Sequence, residues 1–235
     1  MKYEAKQASA TVPISQASGT PWVSISQTDA TTYSANVTGC SGCHLITEAE
    51  WLTIVQNVLS VASNWSGGSV GSGYIYSGHN DNAPSNALAA DTNDANGYSG
   101  ETNTGGNQRR TLTLTNGEVI WDLAGDVYEW TSGQATGGQP GISGETGYAW
   151  KQWNATNVSG SLSPNPFPSY GTPAASSWTS TQGIGQLYSY SGETTLRGFL
   201  RGGLWSDGGT AGVSALSLGN APSLTFIALG FRVSR

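Results

Sequence analysis

Trp121-Asp122-Leu123-Ala124-Gly125-Asp126-Val127-Tyr128-Glu129-Trp130 is the stretch on which the reading of this 235-residue chain turns. Three carboxylates, Asp122, Asp126 and Glu129, fall within eight residues and lie between aromatics of the kind that build a core. Carboxylates packed so closely repel one another unless a cation neutralises them or they reach water. Calcium takes about six to eight oxygen ligands, carbonyls in tight turns among them, and Gly125 suits such a loop. The other reading is a carboxylate cluster satisfied by backbone N–H groups.

Upstream lies the clearest helix signal, in Ile46-Thr47-Glu48-Ala49-Glu50. Thr47 is a good N-cap, and Glu50 three residues on completes a capping box. Trp51, Ile54, Val55, Val58, Leu59 and Ala62 then recur at helical spacing, which predicts a helix that stops by Gly67-Gly68. Short strands are expected at Thr111–Leu114, Val119–Leu123, Leu196–Arg201 and Leu229–Val233. Thr115-Asn116-Gly117-Glu118 reads as the hairpin turn between the first two, because Asn-Gly supports positive φ.

Residues 66–110 and 131–195 show no sustained period, and Pro164, Pro166, Pro168 and Pro173 interrupt the second stretch. Both carry aromatics (Tyr74, Tyr76, Trp150, Trp153, Phe167, Trp178, Tyr188), which bury themselves when they can. Long ordered loops wrapped over one core are therefore expected rather than disordered linkers. With no fixed-period repeat, the chain reads as a single loop-rich α+β domain spanning residues 1–235.

Charged residues make up only 10% of the chain, against roughly a quarter in an ordinary soluble domain, so Gly, Ser, Thr and Asn must keep the surface polar. That balance favours an extracellular, cell-surface or phage-particle setting. Four Asn-x-Ser/Thr sites (Asn36, Asn64, Asn154, Asn157) matter only where the host glycosylates. Net charge is −6 and the Lys and Arg residues are scattered, with no basic stripe for phosphates, so nucleic acid is excluded as a partner. No apolar run reaches the roughly 20 residues that span a bilayer. Met1-Lys2-Tyr3-Glu4 lacks the apolar core of a signal peptide, so either export follows another route or an upstream part is missing.

Catalytic constellations are sparse. Cys40 and Cys43 form a Cys-x-x-Cys beside His44; a local disulfide or two loop thiols is the plain reading, zinc or redox catalysis the sharper ones. His44 and His79 sit in loop-like contexts and offer no oriented base for a nucleophilic triad. Asp81, Asp91, Asp94 and Glu101 could in principle supply paired carboxylates, but a solvated polar loop explains them as well.

Five motifs in order resemble the formylglycine-generating enzymes. Gly125-Asp126-Val127-Tyr128-Glu129-Trp130-Thr131 is similar to that family's Gly-Asn-x-Trp-Glu-Trp-Thr. Lys2-Tyr3-Glu4-Ala5-Lys6-Gln7 resembles its opening strand, and Leu45-Ile46-Thr47-Glu48-Ala49-Glu50-Trp51 its helix start. Arg201-Gly202-Gly203-Leu204-Trp205 and Leu229-Gly230-Phe231-Arg232 match its Arg-Gly-Gly-Ser-Trp and terminal Gly-Phe-Arg. The resemblance implies a C-type-lectin-like fold: a small twisted sheet, flanking helices and much irregular structure. It also implies a structural calcium held by side-chain oxygens of Asp122 and Glu129 and carbonyls of Gly125 and Val127, with Asp122 where the family has Asn.

The family's enzymes oxidise a substrate cysteine with a copper-bound cysteine pair near the C-terminus, because soft thiolates select Cu(I). Between Trp205 and Phe231 this chain has no cysteine, so it is read as no enzyme. The segment 201–235 is instead similar to the variable region of proteins diversified by retroelements, which mutate template adenines. That resemblance makes Arg201, Gly202, Gly203, Trp205, Gly230, Phe231 and Arg232 scaffold. It makes Leu204, Ser206, Asp207, Thr210, Leu224, Phe226, Ile227 and Ala228 display positions, with Ser214, Ser217 and Gly219 as further candidates. All eleven are residue types that a codon ending in C can encode. The apolar cluster Leu224, Phe226 and Ile227 is either a buried strand or an exposed patch that marks an interaction site. The expected function is therefore macromolecular, chiefly protein, recognition. A fixed-specificity glycan-binding lectin-like domain is the alternative, and a formylglycine-generating oxidase the remoter one.

Overall fold

The computed structural model describes residues 1–83, 87–89, 108–136, 139–154, 158–159 and 178–235. In chain order its strands and helices are β1 (Lys6–Ser9), β2 (Val12–Ile14), α1 (Gln27–Ser34), β3 (His44–Leu45), α2 (Glu48–Leu59), β4 (Thr111–Thr113), β5 (Val119–Trp121), β6 (Tyr128–Thr136), β7 (Gly141–Ile142), β8 (Ala149–Lys151), β9 (Val158–Ser159), β10 (Leu187–Ser189), β11 (Leu196–Arg201), β12 (Leu216–Ser217), β13 (Leu229–Phe231) and β14 (Val233–Ser234).

The capping box forms: Thr47 Oγ1 accepts from Glu50 N, and the Glu50 carboxylate accepts from Thr47 N. α2 buries Trp51, Leu52, Val55, Val58 and Leu59 and ends at Leu59, well before Gly67-Gly68. Ala62 opens a separate 3-10 turn instead of continuing the helix. The β4–β5 hairpin turns through Gly117 at φ +87°. β5 stops at Trp121 because Asp122 enters the left-handed region at φ +49° and leaves the ladder.

One helix was not expected from the sequence, and one expectation needs correction. α1 has no apolar stripe, since Ala30 is its only buried hydrophobic residue, and hydrophobic periodicity could not reveal it. Polar tertiary contacts hold it: the Gln27 amide donates to the carbonyls of Thr131 (2.6 Å) and Gly133 (2.8 Å), and Ser26 caps the start. Secondly, 131–195 is not all loop, because β6 runs on to Thr136 and β7, β8, β9 and β10 also fall there. Pro164, Pro166, Pro168, Pro173, Phe167, Asp91, Asp94, Glu101 and Asn157 lie outside the described residues.

A six-stranded mixed sheet in the order β13-β6-β11-β12-β10-β8 is the frame. Side chains alternate along β6. Trp130 faces α1, its indole donating to Ile25 O at 2.9 Å. Its neighbour Thr131 faces α2, where its hydroxyl donates to Glu48 at 2.5 Å. The two helices therefore flank β6 on opposite faces. The chain ends meet at the sheet edge: Ala5 N donates to Phe231 O, Ile46 N donates to Arg232 O, and β14 pairs with β3. The molecule is a loop-rich mixed α/β domain, and among the described residues no helix is long and apolar enough to cross a membrane.

Candidate binding face

Residues 122–126 make a tight loop with Asp122, Gly125 and Asp126 all at positive φ. Asp and Gly are the residue types that tolerate this conformation best. The loop is tied on both sides. Gly78 N donates to Ala124 O, Asp126 N to His79 O, Gly125 N to Gly202 O and Trp205 N to Asp126 O. The opening motif and the Arg-Gly-Gly-Leu-Trp motif are thus one hydrogen-bonded unit.

Two of the three motif carboxylates, Asp122 and Glu129, are neutralised by arginine, which corrects the backbone N–H alternative for them. Arg110 grips Asp122 with Nε to Oδ1 at 3.0 Å and Nη2 to Oδ2 at 2.5 Å, and stacks over Trp121. Arg232 grips Glu129 with Nε to Oε2 at 3.0 Å and Nη2 to Oε1 at 2.7 Å, both side chains fully buried. Asp122, Gly125, Val127 and Glu129 offer hard oxygen donors of the kind calcium takes. However, the charge of both carboxylates is already matched one for one by guanidinium groups. Unmatched charge lies elsewhere. Glu4 is buried with no N–H or hydroxyl donor on either carboxylate oxygen, its close polar neighbour is the Asp126 carboxyl, and one oxygen each of Glu4, Asp122 and Asp126 gather within 4.8 Å. Burial and then the neighbouring Asp126 and Asp122 push the Glu4 carboxyl well up, with Lys6 opposing. Burial and then Asp122 raise Asp126 likewise.

The display positions divide into three groups. Residues 223–227 are exposed as a block: Leu224 is 41%, Phe226 52% and Ile227 74% accessible. This decides against a buried strand. The backbone beneath them is fixed, since Phe226 O accepts from both Ser24 N and Leu229 N, and Pro222 O accepts from Gln27 N. In the other loop Leu204 and Ser206 are half-buried, and Leu204 packs against the cluster around Phe231 and Trp130.

Asp207 and Thr210 are half-buried and committed to the loop itself. The Asp207 carboxylate accepts from Leu204 N (3.0 Å) and from the Tyr128 hydroxyl, and Thr210 Oγ1 donates to Asp207 O (2.8 Å). Burial raises the Asp207 pKa against these two bonds, and burial together with the nearby Asp207 charge raises that of Tyr128. The remaining four positions are corrected. Ser214, Ser217 and Ala228 are buried, Ser217 inside β12 between β10 and β11. A Cβ on Gly219 would lie 2.9 Å from the Tyr188 ring. The side chains of Ser214, Ser217 and Ala228 do not face solvent, whereas Gly219 is half-buried. Codon type and order in the chain carry no information about which way a side chain points.

Of the residues assigned to the scaffold, Trp205 is half-buried and stacks on His79. Arg201 and Arg232 are fully buried, as is Phe231. Gly202 and Gly203 sit at φ +84° and +85°, and a Cβ on Gly203 would meet Ala211 at 2.6 Å. Arg201 reaches back to α2, Nη2 to Glu48 Oε2 at 2.5 Å. Sequence reading missed a polar cleft of about 230 Å³ beside Gly208-Gly209, lined by Tyr74, Asn80, Ser180 and Thr181 among others. Hydroxyls and amides in a Gly/Ser-rich loop give no periodic signal.

The histidines differ from expectation, for a carboxylate orients each. His79 Nε2 lies 2.9 Å from Asp81 Oδ1, with Trp205 stacked across its ring, and His44 Nε2 lies 3.0 Å from Glu50 Oε1. Among the described residues, neither hydrogen-bonds a serine hydroxyl or a thiol. Cys40 and Cys43 form a local disulfide, the plain reading of that motif. Asn64 is fully buried with its amide bonded to Val58 O and Thr113 O, so it is no glycan acceptor in the folded chain.

Fold and site together define a loop-rich mixed α/β domain built round three buried arginine–carboxylate pairs, Arg110–Asp122, Arg201–Glu48 and Arg232–Glu129. The family described as "Sulfatase-modifying factor enzyme 1-like domain" (FGE-sulfatase) matches residues 2–235. The chain belongs to that family. No curated protein matches its sequence significantly.

Proposed function

We propose that this chain is a non-catalytic, ligand-binding member of its family, with a C-type-lectin-like fold and a C-terminal segment diversified by a retroelement. Its partner is a macromolecule, chiefly protein, met outside the cell or on a phage particle. The observation that carries the reading is the exposed block Ser223–Ile227. Three large apolar side chains stand in solvent on a backbone anchored through the carbonyls of Pro222 and Phe226. Folding alone gives no reason to expose such a cluster, whereas recognition does. Rigid backbone with exchangeable side chains also lowers the ordering cost of binding. A bound cation would be structural, holding the loop beneath the face rather than touching the partner.

The reading is tested by making a library randomised at Leu204, Ser206, Leu224, Phe226 and Ile227 and scoring folded display on a cell surface. Most members should fold, with single replacements at 224, 226 and 227 changing stability by no more than about 0.5 kcal/mol, as at surface sites without special contacts. General collapse of folding at these three positions would show that they serve the fold and would sink the proposal.

A further inference from the structure

The carboxylate of Glu4 is the most anomalous group in the molecule. It is 1% accessible, and no N–H or hydroxyl donor reaches either oxygen, its close polar neighbour being the Asp126 carboxyl. A buried ionised carboxylate without donors is costly by several kcal/mol, and native folds avoid it or supply a counter-charge. The other buried acids on this side have theirs, with Arg110 on Asp122 and Arg232 on Glu129. Lys6, itself buried, opposes the charge on Glu4 without donating to either oxygen. What the Glu4 oxygens do approach is two further carboxylates, those of Asp122 and Asp126, with one oxygen of each residue within 4.8 Å of the other two.

We propose that Glu4, Asp122 and Asp126 form a binding site for a hard divalent cation, calcium by preference. This site differs from the set of Asp122, Glu129 and the carbonyls of Gly125 and Val127 that the sequence resemblance implies. Three carboxylate oxygens within ion-sharing reach suit an oxygen-seeking ion. Asp122 can serve while paired, because an oxygen that accepts one guanidinium hydrogen keeps a second lone pair. Asp126 is half-buried and gives the ion a route from solvent. The site would join the first strand's approach, through Glu4, to the 122–126 loop, which is bonded to Gly202 and Trp205. It is independent of what the C-terminal segment binds.

The test titrates calcium chloride into the chelator-stripped full chain, by calorimetry and by thermal melting, for the native protein, Glu4→Gln and Asp126→Asn. The native chain should bind calcium and melt higher with it, and each variant should lose at least about tenfold in affinity, since ligand charge tunes such sites. Glu4→Gln removes a buried charge without changing shape, so it should fold at least as well as the native chain in chelator. Asp126→Asn, at a half-buried position, provides a second reading should Glu4→Gln not fold. Undiminished calcium binding in both variants would place the ion elsewhere and overturn the proposal. So would a native chain indifferent to calcium, in which case a proton shared between Glu4 and Asp126 does the neutralising.

Discussion

Arg201 shows what a single residue contributes and how much of that can be read in advance. Its place in Arg201-Gly202-Gly203 marks it as framework, but its partner Glu48 lies 153 residues away in sequence, beyond any local pattern. Both side chains are buried, and Thr131 and the carbonyls of Ser214 and Ala215 complete the network. Removing one member of such a pair leaves the other charged and unsolvated. Arg201→Met should therefore lower unfolding free energy by about 3–5 kcal/mol, read from urea denaturation. The double variant Arg201→Met with Glu48→Leu should recover much of that loss. If the single variant lost less than about 1 kcal/mol, the pair would not be the organising contact described above.

Among the elements, α2 was legible and α1 was not, for the same physical reason. α2 buries one apolar face and opens with a capping box, both of which are local patterns. α1 is held by Gln27 reaching across to β6, a contact that exists only once the sheet has formed. The cap of α2 also carries a pH signature. Partial burial raises the Glu50 pKa, but bonds from Thr47 N–H and hydroxyl, Ser234 and His44 outweigh it and bring the pKa down to about 2, from an ordinary 4.5. A depressed folded-state pKa means stability that is fully present above the unfolded value and lost as pH falls through the folded one. The stability gap between the native chain and Glu50→Gln should therefore close as pH falls from about 4.5 to about 2, and should also shrink in part as pH rises above the ordinary histidine value of 6.5, where His44, whose pKa Glu50 helps to raise, loses its proton. Because Glu50 is in part exposed, high salt should shrink the share of the gap owed to His44. Chemical denaturation across that range measures it, and a gap independent of pH would mean that Glu50 caps without its charge.

At the scale of the whole molecule, the two chain ends are stitched into one edge. Arg232 donates to the carbonyls of Met1 (3.3 Å) and Lys2 (2.9 Å), Trp121 N donates to Lys2 O, and Ala5 N donates to Phe231 O. Deleting Met1–Ala5 should broaden the melting transition and lower its midpoint, because Arg232 and β5 would lose backbone partners while still buried. A sharp transition at the native midpoint would show that the edge is fastened elsewhere. Motif order, the hairpin turn and the framework glycines Gly202 and Gly203 could be read from the chain, since turn and glycines are local demands on φ. The orientation of the display residues could not, because that depends on Tyr128. Its backbone N–H holds Ala228 O, and its hydroxyl holds the Asp207 carboxylate from the neighbouring loop. On the reading proposed above, the repertoire would be smaller and more correlated than eleven nominal positions suggest. Ser214, Ser217 and Ala228 are buried, a Cβ on Gly219 would crowd the Tyr188 ring, and Asp207 and Thr210 are held by bonds within the loop that presents Leu204. Under that proposal, independent variety would be concentrated at Leu204, Ser206, Leu224, Phe226 and Ile227, and a change at Asp207 would re-aim Leu204, whose backbone N–H its carboxylate holds.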